Sequence, residues 1–129
     1  MDRQLIGSGT PWEAMAGYAR AVRVGHHVYV SGTTASDADG NVQHEGDAAA
    51  QTRYVIGKIE AALAQAGASL ADVVRTRIFV RHITDWPAVA RTHGEFFGAI
   101  RPACTLVSAE LIEPPMLVEI EAEAIVREG

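Results

Sequence analysis

The chain has 129 residues, 48% of them hydrophobic and 21% charged, with a net charge of −5. That length fits one domain, residues 1–129, which buries about two-thirds of its unfolded surface on folding. The acidic balance, with no basic block, argues against nucleic acid or an anionic membrane as a partner. One cysteine, Cys104, excludes an internal disulfide framework and a multi-cysteine zinc site, and a lone thiol suits a reducing, cytoplasmic setting. Nothing reads as a signal peptide or a membrane span. All but one of the 11 basic residues are arginine, the exception being Lys58.

Residues 1–17 carry Gly7, Gly9, Pro11 and Gly17, and read as a short strand followed by a loop. Tyr18 to Val24 alternates roughly, Gly25-His26 reads as a turn, and His27 to Ser31 reads as a strand ended by Gly32. Together they predict a hairpin. The run Asp37-Ala38-Asp39-Gly40-Asn41 is a turn signal. Residues 47–66 predict a helix, with Asp47 as N-cap and Gly67 closing it. Its apolar stripe is Ala48, Thr52, Val55, Ile59, Leu63 and Ala66.

Asp72 to Ile83 predicts a strand with Val74, Thr76, Ile78 and Val80 on one face and Arg75, Arg77, Phe79 and Arg81 on the other. A second helix starts near Asp85 with Pro87 in its first turn. Val89, His93, Phe96, Phe97 and Ile100 form its stripe, and Arg101-Pro102 stops it. Cys104 to Leu111 predicts a strand, Glu113-Pro114-Pro115 a turn, and Leu117 to Val126 the last strand. In that strand Val118, Ile120, Ala122, Ala124 and Val126 point inward, and Glu119, Glu121 and Glu123 outward.

The order β-β-β-α-β-α-β-β predicts an α+β domain with two helices on one face of a mixed sheet. The other face would carry Phe79 with arginine and glutamate ladders. Such a face suits packing against copies of the same chain, which makes an oligomer the expectation. A solvated charged face is the plainer alternative.

The candidate chemistry is sparse. No phosphate loop or nucleophile elbow is present. His26 and His27 are adjacent at a turn, so their side chains diverge, and no metal site is expected. His93 lies on an apolar stripe and reads as a hydrogen-bonded core or interface histidine. Cys104 reads either as a small buried hydrophobe or as a cleft thiol activated by Arg101 or a histidine. Glu119 reads either as a cross-strand partner of Arg75 or Arg77, or as a carboxylate that places a water.

Four segments carry a resemblance. They are Gly17–Gly25, Val28–Gly32, Arg75–Val80, and Arg101-Pro102-Ala103 followed by Leu117–Ala122. Together they resemble the Rid family (reactive intermediate deaminases, formerly YjgF) over nearly the whole chain. The resemblance implies a chorismate-mutase-like fold and a homotrimer whose sheets join in a barrel, with small-molecule clefts between subunits and no cofactor. It also implies hydrolysis of 2-imino acids, with an arginine forking onto the substrate carboxylate and a carboxylate orienting water. The carboxylate falls on Glu119, the family tyrosine on Tyr18, and the glycine after the hairpin strand on Gly32. A pocket asparagine is replaced by Ala90. The arginine, which follows a Pro-Ala pair, is replaced by Cys104, and Arg101 lies three residues upstream. A thiol cannot fork onto a carboxylate. The chain therefore resembles the subgroup lacking that arginine, and a substrate other than a 2-imino acid is expected. The alternative is a non-catalytic small-molecule-binding or regulatory member. A ribonuclease is disfavoured by the acidity and by the lack of a basic-aromatic stripe.

Overall fold

The computed structural model describes residues 2–127. Its elements run β1 (Arg3–Ile6), α1 (Pro11–Ala16), β2 (Ala21–Val24), β3 (His27–Thr34), α2 (Ala48–Gln65), β4 (Val73–Val80), α3 (Trp86–Phe97), β5 (Ala103–Ser108) and β6 (Val118–Ile125). One six-stranded sheet has the order β1-β2-β3-β6-β4-β5. The β4–β5 pair is parallel, because α3 crosses over between them, and every other neighbouring pair is antiparallel. This is the mixed α+β arrangement that the periodicities predict.

The core lies between the sheet and the helices. Val28 and Val30 of β3, Ile78 and Val80 of β4, and Val118, Ile120, Ala122 and Ala124 of β6 meet Val55, Ile59 and Leu63 of α2 and Val89 and Phe97 of α3. Asp47 caps α2 by accepting from Ala50 N. His93 is buried, bonds Thr76 Oγ1 at 2.9 Å and packs on Phe97, so it serves the α3–sheet interface.

Several local readings are corrected. The breakers Pro11 and Gly17 do not mark a loop: they start and stop the six-residue α1, with Pro11 at its first position and Gly17 left-handed (φ 76°) just past its end. Gly32 does not end the hairpin strand, because β3 runs on to Thr34 through a register shift between Val30 and Thr33. A second shift, between Val73 and Arg75, buries Val73 and turns Val74 out to solvent, against the expected inward face. The later strands are shorter than expected, since pairing stops at Val80 and Ser108.

The charged ladder is real but smaller than the composition suggests. Arg77 bonds both Glu121 (3.2 Å) and Glu123 (3.0 Å) across the strands. Arg81 instead donates to the backbone carbonyls of Leu111, Glu113 and Met116, each at 2.8 Å. With buried Gln51, whose amide donates to Pro115 O (2.9 Å) and accepts from Leu117 N (2.9 Å), it fixes the loop between β5 and β6. Gln51→Leu should therefore cost about 2 kcal/mol, because it strands the buried Leu117 amide and the half-buried Pro115 carbonyl. Urea unfolding of the variant beside wild type reads that cost, and an unchanged midpoint would contradict it.

Candidate functional site

A cleft of about 270 Å³ opens where α1, the end of β3, β6 and the β5–β6 loop converge. Its walls include Trp12 and Met15 of α1, Tyr18, Gly32, Ile112, Met116 and Glu119. Arg20 and Lys58 lie at its polar end. The loop fixed by Gln51 and Arg81 supplies Ile112 and Met116, so the packing of α2 and β4 shapes the cleft wall.

Glu119 is on the face of β6 that it shares with Glu121 and Glu123, and its register partners are Phe79 on β4 and Thr34 on β3. It therefore meets neither Arg75 nor Arg77, and the cross-strand salt-bridge reading falls. Its carboxylate makes no hydrogen bond or ion pair with the described residues, whereas Arg77 is taken by Glu121 and Glu123. Burial pushes the Glu119 carboxyl above its usual range, the positive charge of Arg20 pulls it part of the way back, and Glu121 adds to the rise. Gly32 makes room for it: a β-carbon there would collide with Glu119 Oε2 and lie 3.1 Å from Cδ.

Arg20 is almost fully buried. Its Nη1 donates to Gly32 O (2.7 Å) and Thr33 Oγ1 (2.9 Å), and its guanidinium carbon lies 5.6 Å from the centre of the Tyr18 ring. Glu13 stands behind it, with Oε2 at 3.8 Å from Arg20 Nε. Burial would raise the Glu13 carboxyl, but hydrogen bonds from Ser8 and Thr10 and the charge of Arg20 outweigh it, and Glu13 titrates below its usual range. Lys58, from α2, donates to Thr34 O (3.0 Å) and Ser36 O (2.8 Å). Burial, reinforced by the charge of Arg20, pulls its amine down to about 8.

Of the residues picked from sequence, Tyr18, Gly32 and Glu119 come together in this cleft. Cys104, Arg101 and Ala90 do not. Cys104 is exposed on the edge strand β5, two strands from Glu119, so the reading of it as a small buried hydrophobe does not hold for the protomer. Arg101 (φ 60°) folds back on the end of α3, where Nε bonds Gly98 O at 2.7 Å, in a groove with His93 and Phe97. It does not reach the cleft that holds Glu119. Ala90 lies on α3. No cluster of three or more metal-ligating side chains occurs among the described residues. Sequence reasoning missed Arg20, Lys58 and Gln51. The one available signal was their polarity inside otherwise apolar runs.

The model of the family described as Endoribonuclease L-PSP matches residues 9–126. Rv2704 of Mycobacterium tuberculosis, described as a member of the YjgF/YER057c/UK114 family, superposes with a TM-score of 0.87 at 49% identity, over 97% of this chain and 100% of that one. YyfA of Yersinia pestis, a Rid-family protein, superposes with a TM-score of 0.84 at 32% identity, over 97% and 100%. The chain belongs to the Rid family. Among curated Rid-type relatives, the 3-aminoacrylate deaminase RutC of Acinetobacter baylyi is 41% identical over 93% of this chain and 94% of its own. The Rid fold thus accounts for the sheet order and for the hairpin that carries Tyr18 and Gly32. No helix among the described residues is long and apolar enough to cross a membrane.

Proposed function

We propose that this Rid protein is a deaminase-type hydrolase acting on the C–N bond of a small imine or enamine, with Glu119 as the residue that places and deprotonates the attacking water. One observation carries this reading: an acid on β6 stands in an apolar cleft with no partner among the described residues, and its space is kept open by Gly32. A carboxylate lifted by burial is a better base near neutral pH than an exposed one. Water adds to the imine carbon as its proton passes to Glu119. The nitrogen of the tetrahedral carbinolamine takes that proton back from Glu119 and leaves as ammonia with the hydroxyl proton, so that a carbonyl compound remains. Tyr18 and Gly32 frame the substrate. The similarity to an aminoacrylate deaminase supports the reaction class. With Cys104 where the family pattern has arginine, the substrate either lacks a 2-carboxylate or binds it elsewhere.

The working form is a homotrimer in the cytoplasm, with a chorismate-mutase-like joining of three sheets. Cys104 on β5 and Ala90 on α3 lie apart from the cleft within one protomer, and a neighbouring subunit would bring them to it. A monomer mass by light scattering at micromolar concentration would sink this arrangement. A second reading, favoured by Cys104, is a binding module that holds its ligand unconsumed.

The deciding assay is release of ammonia from 2-iminopropanoate and from a panel of small imines and enamines without a 2-carboxylate, with Cys104→Arg beside wild type. Wild type is expected to act on the panel. The variant is expected to gain 2-iminopropanoate by about tenfold or more, the worth of a forked pair. No turnover of any compound by either protein would leave the binding module standing instead.

A further inference from the structure

The cleft contains a cationic pair that the reaction outlined above does not use. All hydrogen bonds of the Arg20 guanidinium to described residues leave from Nη1. Nε is buried and donates to none of the described residues, since Glu13 Oε2 at 3.8 Å is beyond hydrogen-bond reach. Nη2 also donates to none of the described residues. Nη2 is the Arg20 donor left for a ligand, because Nε is buried beside Glu13. An ammonium has three protons to donate, and Lys58 spends two on the carbonyls of Thr34 and Ser36. The third is left over. Both side chains line the cleft that holds Glu119, and both also line a smaller cavity of about 200 Å³ behind it, with Thr10 shared by the two.

Two cations held close in a half-buried place repel each other, and burying an unspent donor is costly. Of the acids facing them, Glu119 lines the same cleft and feels the charge of Arg20, and the other two are committed elsewhere. Glu13 is committed to Ser8 and Thr10, and Asp37 to Gln43 and the turn amides of Asp39 and Asn41. Burial first, and the charge of Arg20 second, bring the amine of Lys58 down to about 8 despite Glu13 and Asp37. An anion seated between the two would satisfy Nη2 of Arg20 and the free proton of Lys58 together.

We infer that Arg20 and Lys58 form the anion anchor of this cleft and hold the carboxylate of a small organic acid. This rests on the reading of the cleft as the reactive site, and it supplies the carboxylate hold that Cys104 cannot give. The substrate is then a small carboxylate whose C–N carbon lies before Glu119.

The test is NMR titration of the intact protein with propanoate and butanoate, and with propanamide and butanamide as neutral twins. The wild type should bind the acids and not the amides. Lys58→Gln and Arg20→Gln should each weaken acid binding by about tenfold or more, the worth of a charge-assisted hydrogen bond, whereas Lys58→Arg should keep it. Wild-type affinity should fall as pH rises past about 8 and Lys58 loses its proton, while that of Lys58→Arg stays level. Arg20 also braces Gly32 and Thr33, so where its variant fails to fold, the Lys58 variants decide alone. Acid binding unchanged in folded Lys58→Gln, amides bound as well as acids, or no binding of either would overturn the anchor. The two readings fail separately. Acid binding lost in Lys58→Gln without turnover of any imine sinks only the hydrolase, and turnover with Lys58-independent binding sinks only the anchor.

Discussion

Glu119→Gln is expected to lower turnover by about two to four orders of magnitude, the usual worth of a positioned general base. The amide keeps the shape and the fit against Gly32 but cannot take a proton from water. The same variant should be more stable than wild type at neutral pH. The sign follows from the raised pKa. Between the ordinary value of 4.5 and the raised one, the folded chain holds a proton that the unfolded chain has released, so stability falls as pH climbs through that window. At neutral pH the buried charge is a cost, and glutamine removes it. Activity has the opposite sense: it needs the ionised form, so the acid limb of the rate profile should lie above 4.5 and disappear in whatever rate the variant retains. A variant that is less active and also less stable would mean that Glu119 is structural.

Gly32→Ala carries the second largest effect. Gly32 has an ordinary backbone conformation, so an alanine there is not strained by its dihedral angles. The obstacle is space, because the new methyl would occupy the position of Glu119 Oε2. Either the carboxylate swings away or β3 and β6 part at the register shift. The first costs about 10²-fold in rate, since about 1 Å of misplacement is enough for that. The second costs about 1–3 kcal/mol by overpacking. A melting temperature within a degree of wild type combined with lost turnover would show that the carboxylate moved. Unchanged turnover and stability together would show that the approach of Glu119 to Gly32 is not used.

These effects depend on contacts that sequence patterns cannot carry. The alternation of β6 was enough to put Glu119 on the polar face, because side-chain direction in a strand has a period of two. Which arginine it met depended on register. Pairing placed it opposite Phe79 and Thr34 and left Arg77 to Glu121 and Glu123. Arg81 shows the same limit from another side. Its face was legible, but its carbonyl partners belong to a loop about thirty residues further along the chain. Short α1 reads as a loop in the sequence because it has too few residues for a periodicity, and its end signals look like breakers.

The sequence by itself determined the fold class, the two long helices, the faces of β6 and, through its motifs, the family. These follow from local periodicity and from residues close along the chain. Only the tertiary structure decided that Tyr18, Gly32 and Glu119 share one cleft, that Cys104 is exposed on the edge strand, and that Arg20 and Lys58 line that same cleft. The physical reason is distance along the chain. Lys58 reaches Thr34 and Ser36 from α2, and Arg20 reaches Gly32 across a hairpin. Such contacts are set by how the helices pack on the sheet and by the register shift in β3, which no local pattern encodes.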